Sequence, residues 1–184
     1  QFGKGNFSAL ETLSYRYHAT IQTYINRLMQ SKGLAEDLTQ ECFIRVITSA
    51  RLGRYPQSFR PWLYKIATNL CRDHWRKASL REEVFEESQL NTAPSMENVS
   101  LIYEKQEERA IVIKALNQLS SIRKEVVILR FYQELKLNEI SEVLDIPLST
   151  VKSRLYEAIK TLNVILLNHN KEWEANQRRK GKDG

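Results

Sequence analysis

The stretch LNEISEVLDIPLSTVKSRLYEAIK, residues 137–160, has the pattern of two short amphipathic helices joined by a tight turn. In the first helix Leu137, Ile140 and Leu144 recur on one side at the i, i+3, i+7 spacing. The turn at Asp145-Ile146-Pro147 ends this pattern, because proline lacks an amide hydrogen and disfavours helix in the residue before it. The second helix has an apolar stripe that we expect to be buried, formed by Val151, Leu155, Ala158, Ile159 and Leu162.

The opposite face of the second helix is polar and suits contact with DNA. It carries short hydrogen-bonding side chains near the helix start and cations beyond them, at Ser149, Thr150, Lys152, Ser153, Arg154, Tyr156 and Glu157. A helix of this kind, held by a partner helix, is typical of insertion into the DNA major groove. The same pattern also fits a helical hairpin in a bundle, so this segment alone leaves both interpretations open.

The composition of the 184-residue chain predicts an all-α protein with one large domain or two small ones. Only 6 glycines and 4 prolines interrupt it, and no long alternating β-branched run appears. Cys42 and Cys71 lie far apart without metal-ligand spacing, so we expect buried thiols in a reducing cytoplasm. No apolar run is long enough to span a membrane, and no signal peptide is visible. Because the chain starts at Gln1, part of the native N-terminus is expected to be missing.

The distribution of charge predicts the domain organisation. Residues 1–77 carry 12 lysines and arginines against 5 acidic residues, whereas residues 78–100 carry 1 against 5. Helical periodicity is also lost between 79 and 100, which is typical of a flexible linker. We therefore expect a domain at 1–78, a linker at 79–100, a domain at 101–170, and a polar basic tail at 171–184 that frays after Asn168. Fully extended, the linker would reach about 70–80 Å, which is the length of roughly 20 base pairs.

The first block has the spacing of three or four helices ending at Lys77. Gly33 is expected to interrupt the helices, and a further helix follows from about Ala35 to Ala50. A loop rich in glycine, proline and arginine occupies 51–58, and the helix at 59–77 has proline in its first turn. The residues expected in the core of these helices include Leu38, Cys42, Phe43, Val46, Ile47, Trp62 and Trp75.

The second block is expected to begin near Leu101 with one helix through Leu119. Ser120 and Ser121 are suited to cap the next helix, whose apolar residues are Val126, Val127, Leu129 and Phe131. The two helices of residues 137–160 then follow.

Three stretches together resemble bacterial RNA polymerase sigma factors of the extracytoplasmic-function class, group IV of the sigma-70 family. They are AEDLTQECFIRV (35–46), FRPWLYKIATNLCRDHWRK (59–77) and KEVVILRFYQELKLNEISEVLDIPLSTVKSRLYEAIKTL (124–162). Their order and spacing match over nearly the full length. The resemblance implies a sigma-2 helical bundle and a sigma-4 helix-turn-helix domain joined by a flexible linker. Such a protein binds core RNA polymerase, recognises the −35 and −10 promoter elements, and promotes DNA opening and transcription initiation.

The resemblance also implies roles for residues in the first block. A polar face on the helix that follows Gly33 would dock on the polymerase, through Asp37, Gln40, Glu41 and Arg45. Recognition of a melted −10 element needs a place for extruded bases, to which cations, rings and amides contribute. The candidates in the loop are Arg51, Arg54, Tyr55 and Gln57, and those on the following helix are Asn69, Arg72, Asp73, Arg76 and Lys77.

The resemblance implies that the second helix of the helix-turn-helix reads the double-stranded −35 element. The candidates are Ser149, Thr150, Lys152, Ser153, Arg154 and Glu157. Arginine and lysine are the side chains that pair with guanine O6 and N7. The chain departs from the family pattern at Ser120, Glu134, Lys136, Ser141 and Asp145. Lys136 replaces a serine that would cap the first helix, and Asp145 replaces the turn glycine, where it can adopt the left-handed conformation at some cost.

These features predict a non-enzymatic cytoplasmic protein of the stress-response type, with no cofactor, no metal and no small-molecule substrate. The expected partners are core RNA polymerase, promoter DNA and a cognate anti-sigma factor, which in this family is often membrane-bound. One alternative is a conventional dimeric helix-turn-helix regulator, which would need a dimer interface and a sensory pocket. A second is an inhibitory protein-binding module, against which the cations on the recognition helix argue.

Overall fold

The computed structural model describes residues 7–54, 56–82 and 103–180, and within these ranges the chain is helical and contains no strand. The helices are α1 (Phe7–Met29), α2 (Lys32–Arg51), α3 (Phe59–Glu82), α4 (Tyr103–Asn117), α5 (Ser121–Val127), α6 (Leu137–Leu144) and α7 (Leu148–Lys180). A π-helical turn at Ile128–Tyr132 lies between α5 and α6. The all-α fold predicted from the sequence is confirmed for these residues.

Contacts among the helices form two compact units. The first unit takes its residues from 1–88 and 128–151, and it contains α1, α2, α3, the π-helical turn and α6. The second unit takes its residues from 89–127 and 152–184, and it contains α4, α5 and most of α7. Helix α7 therefore begins in the first unit and continues in the second.

The core of the first unit lies between α1, α2 and α3. The rings of Tyr24 and Tyr64 meet edge to face with their centroids 5.1 Å apart, which is a favourable aromatic geometry. The hydroxyl groups of Tyr24 and Thr68 lie 2.8 Å apart and form a buried hydrogen bond. Around them, completely buried apolar residues fill the space, namely Ile21, Ile25, Ala35, Cys42, Val46, Leu63, Ala67 and Cys71. Helix α6 also belongs to this unit and packs against α3.

The second unit packs α4 and α5 against α7. Its apolar cluster contains Leu116, Leu119, Val127 and Ala158, with Leu155 and Leu162 partly buried against it. Lys124 is 6% exposed, and its ammonium group donates a 2.8 Å hydrogen bond to Asn117 Oδ1. Burial lowers the pKa of Lys124, because a charged ammonium loses hydration there. This packing holds one face of α7, so that the opposite face is available to solvent.

Two boundaries in the first block differ from the predictions. Gly33 lies inside α2, and the interruption falls at Gln30, which has a left-handed φ of 55°. Ser31 then caps α2, since its Oγ accepts a hydrogen bond from the Leu34 amide at 3.4 Å. Helix α3 continues to Glu82, so the linker predicted from residue 79 begins later, because Leu80, Arg81 and Glu82 all favour helix. The remaining linker residues 83–100 lie outside the described part of the chain.

The structure also corrects several predictions of burial. Ile47 and Ile159 are each 37% exposed, so the assignment of these two side chains to the core is wrong. Both lie at the borders of their apolar stripes. Phe131, an apolar residue of the π-helical turn, is 57% exposed. Trp62 and Trp75 are only half-buried.

The prediction that the tail frays after Asn168 is wrong, since α7 continues to Lys180. Its sequence is rich in glutamate, lysine, arginine, glutamine and alanine, which favour helix.

Candidate nucleic-acid and polymerase interfaces

The helix-turn-helix is built by α6, a left-handed turn and the start of α7. Ile140 and Val143 are completely buried, and Leu144 is 2% exposed. Asp145 ends α6 with φ 57° and ψ 48°, which confirms that this residue takes the left-handed conformation in place of glycine. The Pro147 carbonyl then accepts a 3.1 Å hydrogen bond from the Val151 amide and starts α7.

The start of α6 compensates in part for the absent serine cap. The lysine side chain at position 136 has no acceptor for a helix amide. Glu139 supplies the other half of a capping box, because its carboxylate accepts a 2.7 Å hydrogen bond from the Lys136 amide. The helix therefore begins at Leu137 despite the departure from the family pattern.

The candidate −35 residues lie on the solvent side of α7. Ser149, Lys152, Ser153 and Glu157 are exposed, whereas Thr150 and Arg154 are half-buried. At about 100° per residue, Lys152 and Arg154 fall on opposite borders of the exposed face, with the serines between them. Glu157 is ion-paired with Arg123 of α5 at 2.6 Å.

Two further side chains occupy the centre of the same face of α7. Tyr156 is 71% exposed, and Lys160 is also exposed. They follow Ser149 and Ser153 at helical spacing, about one and two turns beyond Ser153. The sequence analysis placed Tyr156 on the polar face of this helix but not among the candidates to read the −35 element, and it did not single out Lys160, although helical spacing puts Lys160 on the same face.

The candidate −10 residues fall on a loop and on one face of α3. Arg51 is the last residue of α2, so the loop predicted from residue 51 begins one residue later. Arg51 and the loop residues Arg54 and Gln57 are exposed, and Tyr55 lies outside the described residues. Gly53 turns the chain with φ 69°, a conformation that side chains with a Cβ rarely adopt. This turn directs the chain from α2 towards α3.

On α3 the helical period brings all five predicted −10 residues to one face. Asn69, Arg76 and Lys77 are exposed, whereas Arg72 and Asp73 are half-buried. Arg76 pairs with Asp73 at 2.9 Å, which offsets one positive charge. Arg72 donates a 3.3 Å hydrogen bond to the Leu144 carbonyl at the end of α6. The face is therefore basic, but two of its cations, Arg72 and Arg76, already have protein partners.

The predicted polymerase-docking residues share the solvent face of α2. Asp37, Gln40 and Arg45 are exposed, and Glu41 is half-buried and pairs with Arg45 at 2.9 Å. Ile44, which is 57% exposed, lies among them, since it follows Gln40 by four residues and Glu41 by three. This exposed isoleucine inside a polar face is a candidate apolar contact for a binding partner. The sequence did not predict it, because only its exposure in the structure distinguishes Ile44 from the isoleucines of the core.

The cysteines match the prediction of buried thiols. Cys42 and Cys71 are both buried, and neither forms a disulfide. Burial raises the pKa of the Cys42 thiol from 9.0 to about 12, since the thiolate loses hydration, and the charge of Arg45 opposes this shift. Among the described residues, no group of His, Cys, Asp and Glu is arranged to hold a metal ion, and no helix is long and apolar enough to cross a membrane.

Comparison with known proteins links this geometry to one family. Residues 13–81 match the family model "Sigma-70 region 2", and residues 109–162 match "Sigma-70, region 4". The chain is 31% identical to RNA polymerase sigma factor SigV of Bacillus subtilis, over 72% of this chain and 75% of SigV. It is 30% identical to ECF RNA polymerase sigma factor BldN of Streptomyces coelicolor, over 88% of this chain but only 62% of the length of BldN.

A solved structure shares the fold. The sigma factor RpoE from Bartonella quintana, determined in complex with the anti-sigma factor NepR, superposes with a TM-score of 0.65. The sequence identity is 21%, and the match covers 85% of this chain and 95% of RpoE. At this identity the likeness concerns the fold alone.

Proposed function

The chain belongs to the extracytoplasmic-function RNA polymerase sigma factors of the sigma-70 family, the promoter-recognising subunits of the polymerase, and we propose a division of labour among its helices. Residues 1–78 form the sigma-2 domain, which docks on core polymerase and engages the −10 element. Residues 101–170 form the sigma-4 domain, which reads the −35 element. The acidic segment 79–100 links them, and residues 171–184 form a basic tail.

The proposal for the −35 element is carried by one observation, the helix-turn-helix in which α6 and the turn at Asp145 present the start of α7. The apolar side of α7 is held by the second unit, which leaves short polar side chains and cations facing solvent. Lys152 and Arg154 lie on opposite borders of this face, so they are suited to reach different strands or different base pairs in the groove. Between Lys152 and Arg154, the side chains of Ser149, Ser153 and Tyr156 contact the base edges at the floor of the major groove.

Opening of the −10 element is assigned to the loop at 51–58 and to α3. The α3 face combines an amide, Asn69, with cations at Arg72, Arg76 and Lys77. Cations bind the phosphates of the separated strand, and the amide is suited to hydrogen-bond a base edge. Arg51, Arg54, Tyr55 and Gln57 form the proposed surface for extruded bases.

Docking on core polymerase is assigned to the solvent face of α2. The polar residues Asp37, Gln40, Glu41 and Arg45 fix orientation, and the exposed Ile44 and Ile47 supply apolar area that is buried on contact. A polar rim around a small apolar centre is the usual anatomy of a specific interface.

The proposed setting is the bacterial cytoplasm, in a stress response. A cognate anti-sigma factor is a further proposed partner, because the structural relative RpoE was determined in complex with one. The protein itself performs no catalytic chemistry in this proposal. A conventional dimeric regulator is not favoured, since residues 13–81 and 109–162 match the two sigma-70 regions.

Run-off transcription tests the proposal. Purified protein added to core polymerase should start RNA from a defined subset of promoters in a genomic library, and no promoter-dependent transcript would refute it. In the same assay Arg154→Ala should lose discrimination among −35 variants by about tenfold or more, the value of one bidentate base contact of ~1–3 kcal/mol. Asn69→Ala should slow opening, whereas Lys114→Ala, which alters an exposed lysine on α4, is the control.

If both variants behave like the wild-type protein while Lys114→Ala is also unchanged, the residue assignments are wrong although the class is right. Open-complex formation, followed by permanganate reactivity of unpaired thymines, separates the two defects. Arg154→Ala should bind fewer promoters but open those that it binds, and Asn69→Ala should bind them and open them slowly.

A further inference from the structure

Helix α5 places one cation beside the solvent-facing side of α7. Arg123 lies in the first turn of α5, and its guanidinium donates a 2.6 Å hydrogen bond to Glu157 Oε2 on α7. The two side chains are 38% and 54% exposed, so the pair lies at the surface rather than in the core. Both residues belong to the second unit. The pair therefore connects α5 to the side of α7 that faces DNA in the proposed function.

The packing beneath this pair fixes the position of α5 on α7. Val127 of α5 and Ala158 of α7 belong to the same apolar cluster, and they are 3% and 0% exposed. Lys124, the residue after Arg123, donates a 2.8 Å hydrogen bond to a side chain at the end of α4. Val127 follows Arg123 by about one turn, and Ala158 adjoins Glu157 in the sequence. The packing that joins the two helices therefore also keeps the guanidinium close to the carboxylate.

The stability of the fold does not account for the ion pair. Exposed ion pairs contribute little to the free energy of unfolding, because water screens the charges and two long side chains lose conformational freedom. Arg154 and Lys160 each lie three positions from Glu157 on α7 itself, within reach for a helical ion pair. Among the described residues, the ion partner of Glu157 is nevertheless Arg123. A hydrogen bond from a second helix fixes the direction of the carboxylate, which a mere charge balance would not require.

A carboxylate on a helix that reads DNA needs support of this kind. The DNA phosphates are negative and repel it, whereas cations supply the electrostatic part of the affinity. A carboxylate can nonetheless read sequence, because it accepts a hydrogen bond from the N4 amino group of cytosine in the major groove. Glu157 lies about one turn beyond Ser153 on the exposed side of α7. The guanidinium of Arg123 offsets the charge of Glu157 through Oε2, and Oε1 keeps its capacity to accept a hydrogen bond.

We propose that Arg123 is a positioning residue for reading the −35 element, where it holds the Glu157 carboxylate so that Oε1 accepts a hydrogen bond from cytosine N4. The assignment rests on the proposed function and extends it by naming one base that the element carries. Arg123 acts through Glu157 and does not itself touch a base. One position of the −35 element is therefore a C·G base pair, and its selection depends on a residue of α5, outside the recognition helix.

Selection of promoters from a library with a randomised −35 element tests the role of Arg123. Core polymerase loaded with the wild-type protein should enrich cytosine at one position by about fivefold or more, the value of one good base contact. Arg123→Ala should reduce the enrichment there to less than about twofold and leave the other positions unchanged. A loss of folding would instead lower the yield without changing the preference at one position. Lys114→Ala, which removes an exposed cation of α4, is the matched control and should keep the wild-type preference.

A change of the acceptor should change the base that is selected. Glu157→Gln keeps the shape of the side chain, and a glutamine amide pairs with N6 and N7 of adenine. The base enriched at the same position should therefore change from cytosine to adenine. Exchange of the two residues, Arg123→Glu with Glu157→Arg, keeps an ion pair but places a guanidinium on α7, so the enriched base should become guanine. Continued enrichment of cytosine by the exchanged pair would show that the pair only joins two helices, and would overturn the proposal.

The outcomes separate this assignment from the proposed function. Loss of the cytosine preference in Glu157→Gln but not in Arg123→Ala would refute the positioning role of Arg123. An unchanged preference in both variants would overturn the proposal while the function as a sigma factor stands, because the wild-type protein would still select promoters. No enrichment of any promoter by the wild-type protein with core polymerase would refute the proposed function, and the assignment with it.

Discussion

Truncation of Ile44 to alanine should weaken binding to core polymerase without weakening the fold. Full burial of an isoleucine side chain is worth about 1.5–3 kcal/mol. Because 57% of Ile44 is exposed in the free protein, contact with polymerase can contribute roughly 1–1.5 kcal/mol beyond what alanine retains. The dissociation constant should then rise about 5- to 15-fold. Fluorescence anisotropy with labelled protein and core polymerase measures this change directly.

The matched control is Ile113→Ala, which truncates an isoleucine of similar exposure, 46%, on α4, a helix that is not part of the proposed docking face. Its affinity should stay within twofold of the wild-type value. Neither variant should lose stability, because alanine has a higher helix propensity than isoleucine and little packing is lost at an exposed position. Equal affinities for Ile44→Ala and wild type would refute the role of α2 as an apolar anchor, as would an equal loss in both variants.

Two predictions concern the fold that positions these surfaces. Tyr24→Phe should lower the free energy of unfolding by about 1 kcal/mol in urea titrations, because it leaves the Thr68 hydroxyl without its buried partner; no change would contradict this. The free energy of unfolding should also fall as the pH rises from 9 towards 12. Burial raises the pKa values of Cys42 and Tyr64 to about 12, so the folded chain retains protons that the unfolded chain releases. Cys42→Ala should flatten this dependence, and a flat wild-type profile would refute it.

Much of the fold follows from local rules that the sequence exposes. Ile140 and Leu144 keep a strict helical period, Pro147 prevents the first helix from continuing, and Asp145 tolerates a left-handed φ at modest cost. The helix-turn-helix can therefore be predicted from the sequence. The same holds for the buried cysteines, which lack any partner at metal-binding or catalytic spacing.

Features that depend on packing between residues far apart in the sequence could not be predicted. Ile44 and Val46 are both aliphatic and lie two residues apart, yet one is 57% exposed and the other is completely buried. Gln133 looks like an ordinary surface residue in sequence, and its burial depends on Tyr64 and Arg60, about seventy positions earlier. The π-helical turn that places Gln133 has no propensity signal, since it arises where packing favours one extra residue in a turn.

In the proposed function, two surfaces of one chain act at two separate places on a promoter. Hydroxyl-radical footprinting combined with permanganate probing of the polymerase–promoter complex tests it most directly. We expect two protected stretches on one duplex, roughly 20 base pairs apart, with reactive thymines only in the downstream stretch. Tight protection of a single palindrome by the protein without polymerase, and no reactive thymines, would contradict the claim and favour a dimeric regulator.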